Sequence, residues 1–206
     1  MAKRAQKKPT TTSDPIEAAL ALAAEMPWRA VTLEAIASRA GLTLAALFEL
    51  YPSKAALLAG FSRRIDAHVL TSRDETMIDH PAHERLFDVV MRRFDALAPH
   101  KEALRSILRR AALDAEAGLV GACALHRALV AMLEAAGLSS SGLRGALRRK
   151  GLALVYLDTL RVWLNDDSPD MARTMKALDG HLRRIDRVIR LVRGGGRDDV
   201  ASSGGA

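Results

Sequence analysis

Residues 32–58 read TLEAIASRAGLTLAALFELYPSKAALL, and this stretch decides the fold. Thr32 and Thr43 each precede an apolar segment, and a threonine at such a position predicts a helix N-cap. Gly41 follows the first segment, and glycine readily takes the left-handed conformation that ends a helix. A proline–serine pair then stops the second segment and caps a third helix. The stretch therefore predicts two short helices joined by a tight turn and followed by a longer helix, which is the layout of a helix-turn-helix.

The second short helix is almost entirely apolar, although in a helix-turn-helix this helix enters the DNA major groove and reads bases. Leu44 and Ala45 can touch thymine methyl groups but cannot form the bidentate contacts that identify a base. Glu49 would face the polyanion with like charge, or at best accept from a cytosine amino group. If DNA is bound, we expect phosphate contacts rather than base readout, with modest sequence discrimination and strong salt dependence. Six residues are assigned to the core between the two short helices: Ile36, Ala37, Ala40, Leu42, Leu47 and Phe48.

The rest of the chain predicts further helices and no strand. Runs that alternate apolar and polar residues are missing, and the helix formers alanine, leucine and arginine dominate. We therefore expect an all-α fold of about nine helices. Residues 152–164 are apolar on most faces, which predicts burial on several sides. The predicted helices span 14–26, 33–40, 44–50, 54–73, 84–97, 101–114, 118–136, 142–165 and 170–192.

Charge and composition divide the chain into four parts. The formal net charge is +7, and the first eight residues alone hold four lysine and arginine residues. Such an arm suits phosphates or anionic lipid headgroups, and the alternative is a solvated leader. The predicted parts are a disordered basic arm at 1–13, a helix-turn-helix domain at 14–65, a helical ligand-binding and dimerisation domain at 66–192, and a flexible Gly/Ser-rich tail at 193–206.

Motifs for catalysis or metal binding are not predicted. His80 and His83 have a possible ligand spacing, but a proline between them indicates a surface turn. The carboxylates at 166–170 adjoin a serine–proline pair before a helix, where capping explains them. Cys123 lies in an apolar segment, which predicts a packed, inert thiol. We therefore predict no enzyme, no cofactor and no metal; since no uninterrupted run of eighteen apolar residues exists, we expect no transmembrane helix and a cytoplasmic location.

The helix-turn-helix stretch resembles the TetR family of bacterial repressors. The resemblance covers residues 14–65, and IEAALALAAE at 16–25 is similar to the first helix of that family. It implies a homodimer with an N-terminal DNA-binding head and a helical C-terminal body that holds a small-molecule pocket. The matching residues are Thr32, Ile36, Ala37, Ala40, Gly41, Leu47, Pro52, Ser53, Lys54, Leu57 and Leu58.

The recognition helix departs from the pattern of that family. The family commonly has a lysine or other polar residue, then a tyrosine, then a histidine, where this chain has Leu44, Phe48 and Leu50. Phe48 lacks the hydroxyl that would donate to a phosphate. The candidate DNA-binding residues, which would act together with the basic arm, are Thr32, Arg39, Thr43, Leu44, Ala45, Phe48, Tyr51 and Lys54.

Residues 147–182 carry a second resemblance. Their WLNDDSPD run, with Tyr156 and Thr174, is similar to the C-terminal part of the Coq-nine family, which shares the TetR fold. This resemblance implies an isoprenoid-binding protein that assists ubiquinone biosynthesis, with a head that no longer reads DNA. The basic face of the last helix would then lie on an anionic membrane surface, and the alternative is an ordinary packing or dimerisation helix.

Taken together, these patterns favour a TetR-like DNA-binding regulator that responds to a small apolar ligand and dimerises through residues 142–165 and 170–192. The ligand would shift the spacing of two heads, and so their fit to half-sites about one helical turn apart. The alternative is a lipid-binding accessory protein of ubiquinone biosynthesis, and a third possibility is an interaction protein with a degenerate head. The candidate pocket residues, which alternatively belong to the core, are Met91, Phe94, Met132, Tyr156 and Trp163.

Overall fold

The computed structural model describes residues 14–72, 74–111 and 115–198, and these residues form helices and no strand. This confirms the predicted all-α fold. Single 3₁₀ turns lie at Trp28–Ala30, Glu75–Asp79 and Ala98–His100. The α-helices of the described residues are α1 (Pro15–Glu25), α2 (Leu33–Ala40), α3 (Leu44–Leu50), α4 (Lys54–Thr71), α5 (Ala82–Leu97), α6 (Lys101–Ala111), α7 (Ala115–Ala135), α8 (Gly142–Leu164) and α9 (Ala172–Asp198).

The chain divides into two compact units, a head and a body. The head comprises Met1–Ile65 and Leu97–Ala124, and the body comprises Asp66–Ala96 and Leu125–Ala206. Leu97–Ala124 groups with the head although it follows α5 in the chain. The physical reason is that α6 packs on α1 and on the turn after it, where the Trp28 N–H donates to Ser106 Oγ at 3.1 Å.

The core of the head forms around the two short helices. Ile36 of α2 and Leu47 of α3 are both completely buried, and Val31, just before α2, is 1% exposed. They lie in one core with Ile16 and Leu20 of α1, which are 3% exposed. Because these side chains come from four segments, α2 and α3 are held in place by the whole head.

A buried ion pair lies in the core of the body. Arg93 of α5 donates from Nη1 to Asp66 Oδ1 at 2.8 Å and from Nε to the Tyr156 hydroxyl at 3.2 Å. Asp66 and Arg93 are both 4% exposed. Arg127, on α7, approaches the second carboxylate oxygen of Asp66 at 3.4 Å. Breaking such a pair strands a buried charge at a cost of about 3–5 kcal/mol, so this contact fixes α4, α5 and α8 relative to one another within the body.

Three sequence predictions about the C-terminal helices differ from the structure. Residues 152–164 are not buried on several sides, because Leu154 is 74% and Leu157 42% exposed. Helix α9 begins at Ala172, after Met171 with φ 51°, and continues to Asp198 through part of the predicted flexible tail. On α9, Leu178 and Leu182 are buried. Residues 1–13 and 199–206 lie outside the described residues.

Helix α7 also differs from its prediction. Cys123 is exposed rather than packed. The window Gly118–Ala135 has a mean hydropathy of 1.4, with a third of it buried, and is long and apolar enough to span a membrane by length and composition. Helices α3 and α4 meet that test only if the pair, bent by 54°, counts as one span. The sequence analysis required an uninterrupted run of eighteen apolar residues, and Arg127 and Glu134 interrupt this window. The core helices of other proteins also pass the test of length and composition.

Candidate nucleic-acid interface

The predicted caps and turn of the helix-turn-helix are present. The Thr32 hydroxyl accepts from the Ala35 N–H at 3.1 Å, and the Thr43 hydroxyl accepts from the Ala46 N–H at 3.2 Å. Gly41 lies between the helices at φ 72° and ψ 25°, in the left-handed region. These local contacts start α2 and α3 at defined residues and set the sharp turn between them.

One face of α3 is exposed and apolar. Leu44 is 48% and Phe48 56% exposed, and Ala45 and Glu49 are exposed beside them. The assignment of Phe48 to the core was therefore wrong. Leu47 is the buried residue of this seven-residue helix. Successive side chains on a helix are about 100° apart, so Phe48 points away from the core that Leu47 enters.

Two predicted DNA contacts are engaged within the head. Arg39 forms an ion pair with Glu25. The Lys54 ammonium donates to the Trp28 and Val31 carbonyls, both at 2.9 Å, and lies 4.7 Å from the centroid of the Trp28 ring. Lys54 therefore satisfies carbonyl groups at the end of the 3₁₀ turn and ties α4 to it.

The hydroxyl-bearing candidates lie in different settings. Thr32 and Thr43 are exposed, and their hydroxyls act as acceptors in the caps, so each O–H remains able to donate to a phosphate. Tyr51 is half-buried, with its ring against Gly60: a Cβ at that glycine would lie 3.0 Å from Tyr51 Cε1. The glycine thus makes room for the tyrosine beside α4.

The helix-turn-helix part of the head, residues 14–65, carries no excess of positive charge. Residues 14–65 hold five acidic and five basic side chains, so their net charge is zero. Arg64 contacts Asp14 at 2.8 Å and Glu17 at 3.1 Å. Burial would raise the pKa of Asp14, but the hydrogen bonds from Arg64 and from the Ile16 N–H outweigh it and lower that pKa. Among the described residues of the head, Arg29 and Arg63 are exposed and form no ion pair. Affinity for a polyanion would therefore depend on few cations of the head itself.

The candidate pocket residues form a packed aromatic cluster in the body. The Phe94 ring lies between the rings of Tyr156 and Trp163, with centroid distances of 5.6 and 5.4 Å. Phe94, Met132 and Trp163 are fully buried, and Met91 is half-buried. Beside the cluster, the buried Thr159 hydroxyl has no hydrogen-bond partner among the described residues.

Two openings in the surface of the body lie away from that cluster. One, of about 10 Å³, lies between the 3₁₀ turn Glu75–Asp79, α5 and the end of α7, and has room for about one water molecule. The other is a trough of about 430 Å³ along α9. Its lining residues are Arg173, Lys176, Ala177, Gly180, His181 and Arg184.

The sequence could not show which polar candidates are used inside the head. The partner of Arg39 lies at the end of α1, and the carbonyls bound by Lys54 are more than twenty residues before it. No local spacing signals such contacts. By contrast, the caps Thr32 and Thr43 depend on neighbours three residues away, and for that reason the sequence identified them.

Two family models match separate parts of the chain. Residues 16–60 match the model of bacterial regulatory proteins of the tetR family. Residues 120–191 match the model named COQ9, the same Coq-nine family that residues 147–182 resemble. Both matches confirm the resemblances noted in the sequence. Comparison with curated proteins finds none that matches.

Solved structures share the fold of this chain. A TetR transcriptional regulator from Nitrosomonas europaea ATCC 19718 has a TM-score of 0.69 and 24% identity, over 82% of this chain and 94% of its own. A TetR transcriptional regulator from Rhodococcus sp. RHA1 has a TM-score of 0.60 and 20% identity, over 82% and 93% of the two chains. A tetR-family transcriptional regulator from Streptomyces coelicolor has a TM-score of 0.57 and 20% identity, over 92% and 91%. The chain therefore has a TetR-like regulator fold, with a helix-turn-helix segment of the tetR family and a COQ9 segment in its C-terminal part.

Proposed function

We propose that this chain is a dimeric DNA-binding regulator that responds to a small apolar ligand. The observation that carries the proposal is the helix-turn-helix in residues 16–60, whose turn and caps are intact and whose second helix presents a free face. A helix held in this way is positioned to enter a major groove. Intact geometry supports DNA binding, and the side chains on α3 decide how selective that binding is.

Phosphate contacts supply most of the affinity in this proposal. Residues 14–65 have no net charge, so the basic arm adds the cations that they lack, while Thr32, Thr43 and Tyr51 offer hydroxyl donors. Each neutralised phosphate releases counterions, which makes the binding constant fall steeply with salt. Sequence discrimination is correspondingly modest.

Dimerisation would use the exposed leucines of α8. Leu143, Leu147, Leu154 and Leu157 are 90%, 72%, 74% and 42% exposed and follow one side of the helix. A row of this kind is costly in water, and a second copy of α8 would cover it. Two heads joined in this way can contact two half-sites about one helical turn apart.

The ligand site is assigned to the aromatic cluster of the body. Phe94 stacks with Tyr156 and Trp163, and these rings and Met132 are buried, while Met91 is half-buried. The unpartnered Thr159 hydroxyl lies between Tyr156 and Trp163 along α8, so an apolar ligand with one polar group would satisfy it. Entry of such a ligand requires the rings to separate.

A second candidate function is favoured by the zero net charge of residues 14–65 and by the COQ9 match. In this function the chain binds an isoprenoid lipid as an accessory protein of ubiquinone biosynthesis, and the head does not read DNA. The cationic trough on α9, with Arg173, Lys176 and Arg184, would rest on an anionic membrane surface. An interaction protein with a degenerate head is the third candidate.

Salt-dependent DNA binding by the full chain separates these candidates. We expect selected genomic fragments to be enriched over competitor DNA, with affinity falling from about 50 to about 200 mM salt by a steep power law. Replacing Lys3, Arg4, Lys7 and Lys8 by glutamine should reduce the log–log slope by as much as about 3 to 4. Arg197→Gln, a tail cation, is the matched control and should change the slope little.

Mass spectrometry of the lipid that co-purifies with the same preparation completes the test. A binding constant indifferent to salt contradicts phosphate-driven DNA binding. Absence of any enriched fragment, together with a bound isoprenoid, supports the lipid-binding candidate instead. Absence of both favours the interaction protein.

A further inference from the structure

We infer that the exposed face of α3 selects pyrimidines, and that 5-methylcytosine is the base it fits best. The inference rests on the proposed DNA binding and names the base chemistry that the recognition helix can recognise. It concerns Leu44, Ala45, Phe48 and Glu49, which are all exposed. Each step follows from which hydrogen-bonding groups these side chains have and lack.

Helix α3 has no side chain that donates a hydrogen bond. Its seven residues are LAALFEL, and an ionised glutamate only accepts. Guanine presents two acceptors in the major groove and is recognised by arginine or lysine, while adenine is recognised by asparagine or glutamine. Both purines present N7 as an acceptor, so bidentate recognition of either needs a donor that α3 lacks. A carboxylate can accept from the adenine N6 amino group as it does from that of cytosine, so the C5 methyl group is what marks the pyrimidines for this face.

The apolar side chains can recognise a methyl group at C5 of a pyrimidine. Leu44 and Phe48 lie one turn apart and are 48% and 56% exposed, with Ala45 beside them. The short Ala45 side chain allows the helix to approach the base edges closely. Burial of one methyl group against such a surface corresponds to about fourfold in affinity.

Glu49 adds the only polar group of this face. It is exposed, and among the described residues it forms no ion pair. It follows Ala45 by one turn, so the carboxylate and the apolar surface are neighbours. A carboxylate accepts from the cytosine N4 amino group but is repelled by thymine O4, which is itself an acceptor. Thymine offers only the methyl group, cytosine only the amino group, and 5-methylcytosine offers both.

The test is selection from a random duplex library, followed by titration of the full chain with matched duplexes. These duplexes differ at one selected position, which holds cytosine, 5-methylcytosine, thymine or uracil. We expect 5-methylcytosine to bind about fourfold more tightly than cytosine, and thymine more tightly than uracil by a similar factor. Glu49→Ala should abolish the preference for cytosine over uracil, and Glu49→Gln should shift the selected base toward adenine.

Glu34→Ala provides the matched control. Glu34 is an exposed carboxylate at the start of α2, so its loss changes the charge of the head equally but leaves α3 intact. Both alanine variants should bind all duplexes somewhat better, and only Glu49→Ala should change the base preference. Selected sites whose affinity falls when a 7-deazapurine replaces the purine of the pair, or indifference to the C5 methyl group, would overturn the inference while leaving DNA binding itself in place. Binding without any selected sequence would overturn the inference alone, and failure to bind any duplex would overturn the proposed DNA binding as well.

Discussion

Asp166 joins the end of α8 to the start of α9 through four hydrogen bonds. Its Oδ1 accepts from the Ser168 N–H at 3.2 Å and hydroxyl at 2.5 Å, and its Oδ2 accepts from the Thr174 N–H at 2.9 Å and hydroxyl at 2.7 Å. The residue is 1% exposed. Burial by itself would raise the pKa of this carboxyl, but the hydrogen bonds from Ser168 and Thr174 outweigh it and hold the pKa well below its usual range. The WLNDDSPD run thus has a structural role as a helix–helix corner.

Asp166→Asn should lower the free energy of unfolding by about 2 kcal/mol at neutral pH, because hydrogen bonds to a charged acceptor are lost. The pKa of Asp166 is lower in the folded chain than in the unfolded chain. Its contribution to the free energy of unfolding is therefore complete above the pKa of the unfolded chain, about 3.9, and is lost as the pH falls toward the pKa of the folded chain. Urea unfolding near neutral pH and at about pH 3 should therefore show the difference between wild type and variant shrinking in acid.

Asp170→Asn is the control for this prediction. Its exposed carboxylate accepts from the Ala172 N–H alone, at 3.2 Å, and the substitution should cost far less. An equal loss in both variants, or a difference that stays constant with pH, would show that Asp166 does not act through its charge.

At the scale of elements, glycine has opposite roles in the turn after α2 and within α7. Gly41 adopts φ 72°, a conformation that an alanine takes only with strain. Gly121 lies inside α7 and is exposed, and a methyl group at its Cα would meet no neighbouring side chain or segment within 4 Å. Replacement of glycine by alanine is therefore expected to destabilise the chain at Gly41, in the turn, and to stabilise it at Gly121, within α7.

Gly41→Ala should destabilise the chain by about 1 kcal/mol or more, because it strains the left-handed turn. Gly121→Ala should stabilise it by about 0.5–1 kcal/mol, because alanine restricts the unfolded chain and favours the helix. Thermal unfolding of both variants measures the two shifts side by side. A stabilised Gly41→Ala variant would contradict the observed turn geometry.

On the scale of the whole molecule, the leucines of α8 are exposed to water in a monomer and would be covered in the proposed dimer. The row leaves Leu143, Leu147, Leu154 and Leu157 in water on one helix of a single copy. Leu119, on α7, is 69% exposed and lies outside this row. It therefore offers a comparison of equal hydrophobicity at a different surface.

Leu154→Glu and Leu147→Glu should each shift the chain from dimer to monomer, because a carboxylate would be buried in the contact between two α8 helices. Light scattering coupled to size exclusion measures the mass in solution. Leu119→Glu should leave the mass unchanged. Dissociation by Leu119→Glu, or persistence of the dimer in both α8 variants, would exclude the α8 row as the contact.

Local chemistry explains why much of the architecture was predictable. The α2–α3 turn depends on Thr32, Gly41 and Thr43, whose partners lie within four residues, so the sequence alone identifies them. The same holds for the helices and for the absence of strands among the described residues, since both follow from composition and spacing. DNA contacts, the ligand and the dimer are still predictions, because no contact within one chain tests them.

By itself, the sequence determined the all-α class, the order of the helices and the helix-turn-helix, because capping and turn formation act over three or four residues. Only the tertiary structure decided that Phe48 faces outward, that Arg39 and Lys54 are held within the head, and that one side of α8 is exposed. These outcomes depend on which distant segments pack together, and hydrophobic packing is set by the whole chain rather than by neighbouring residues.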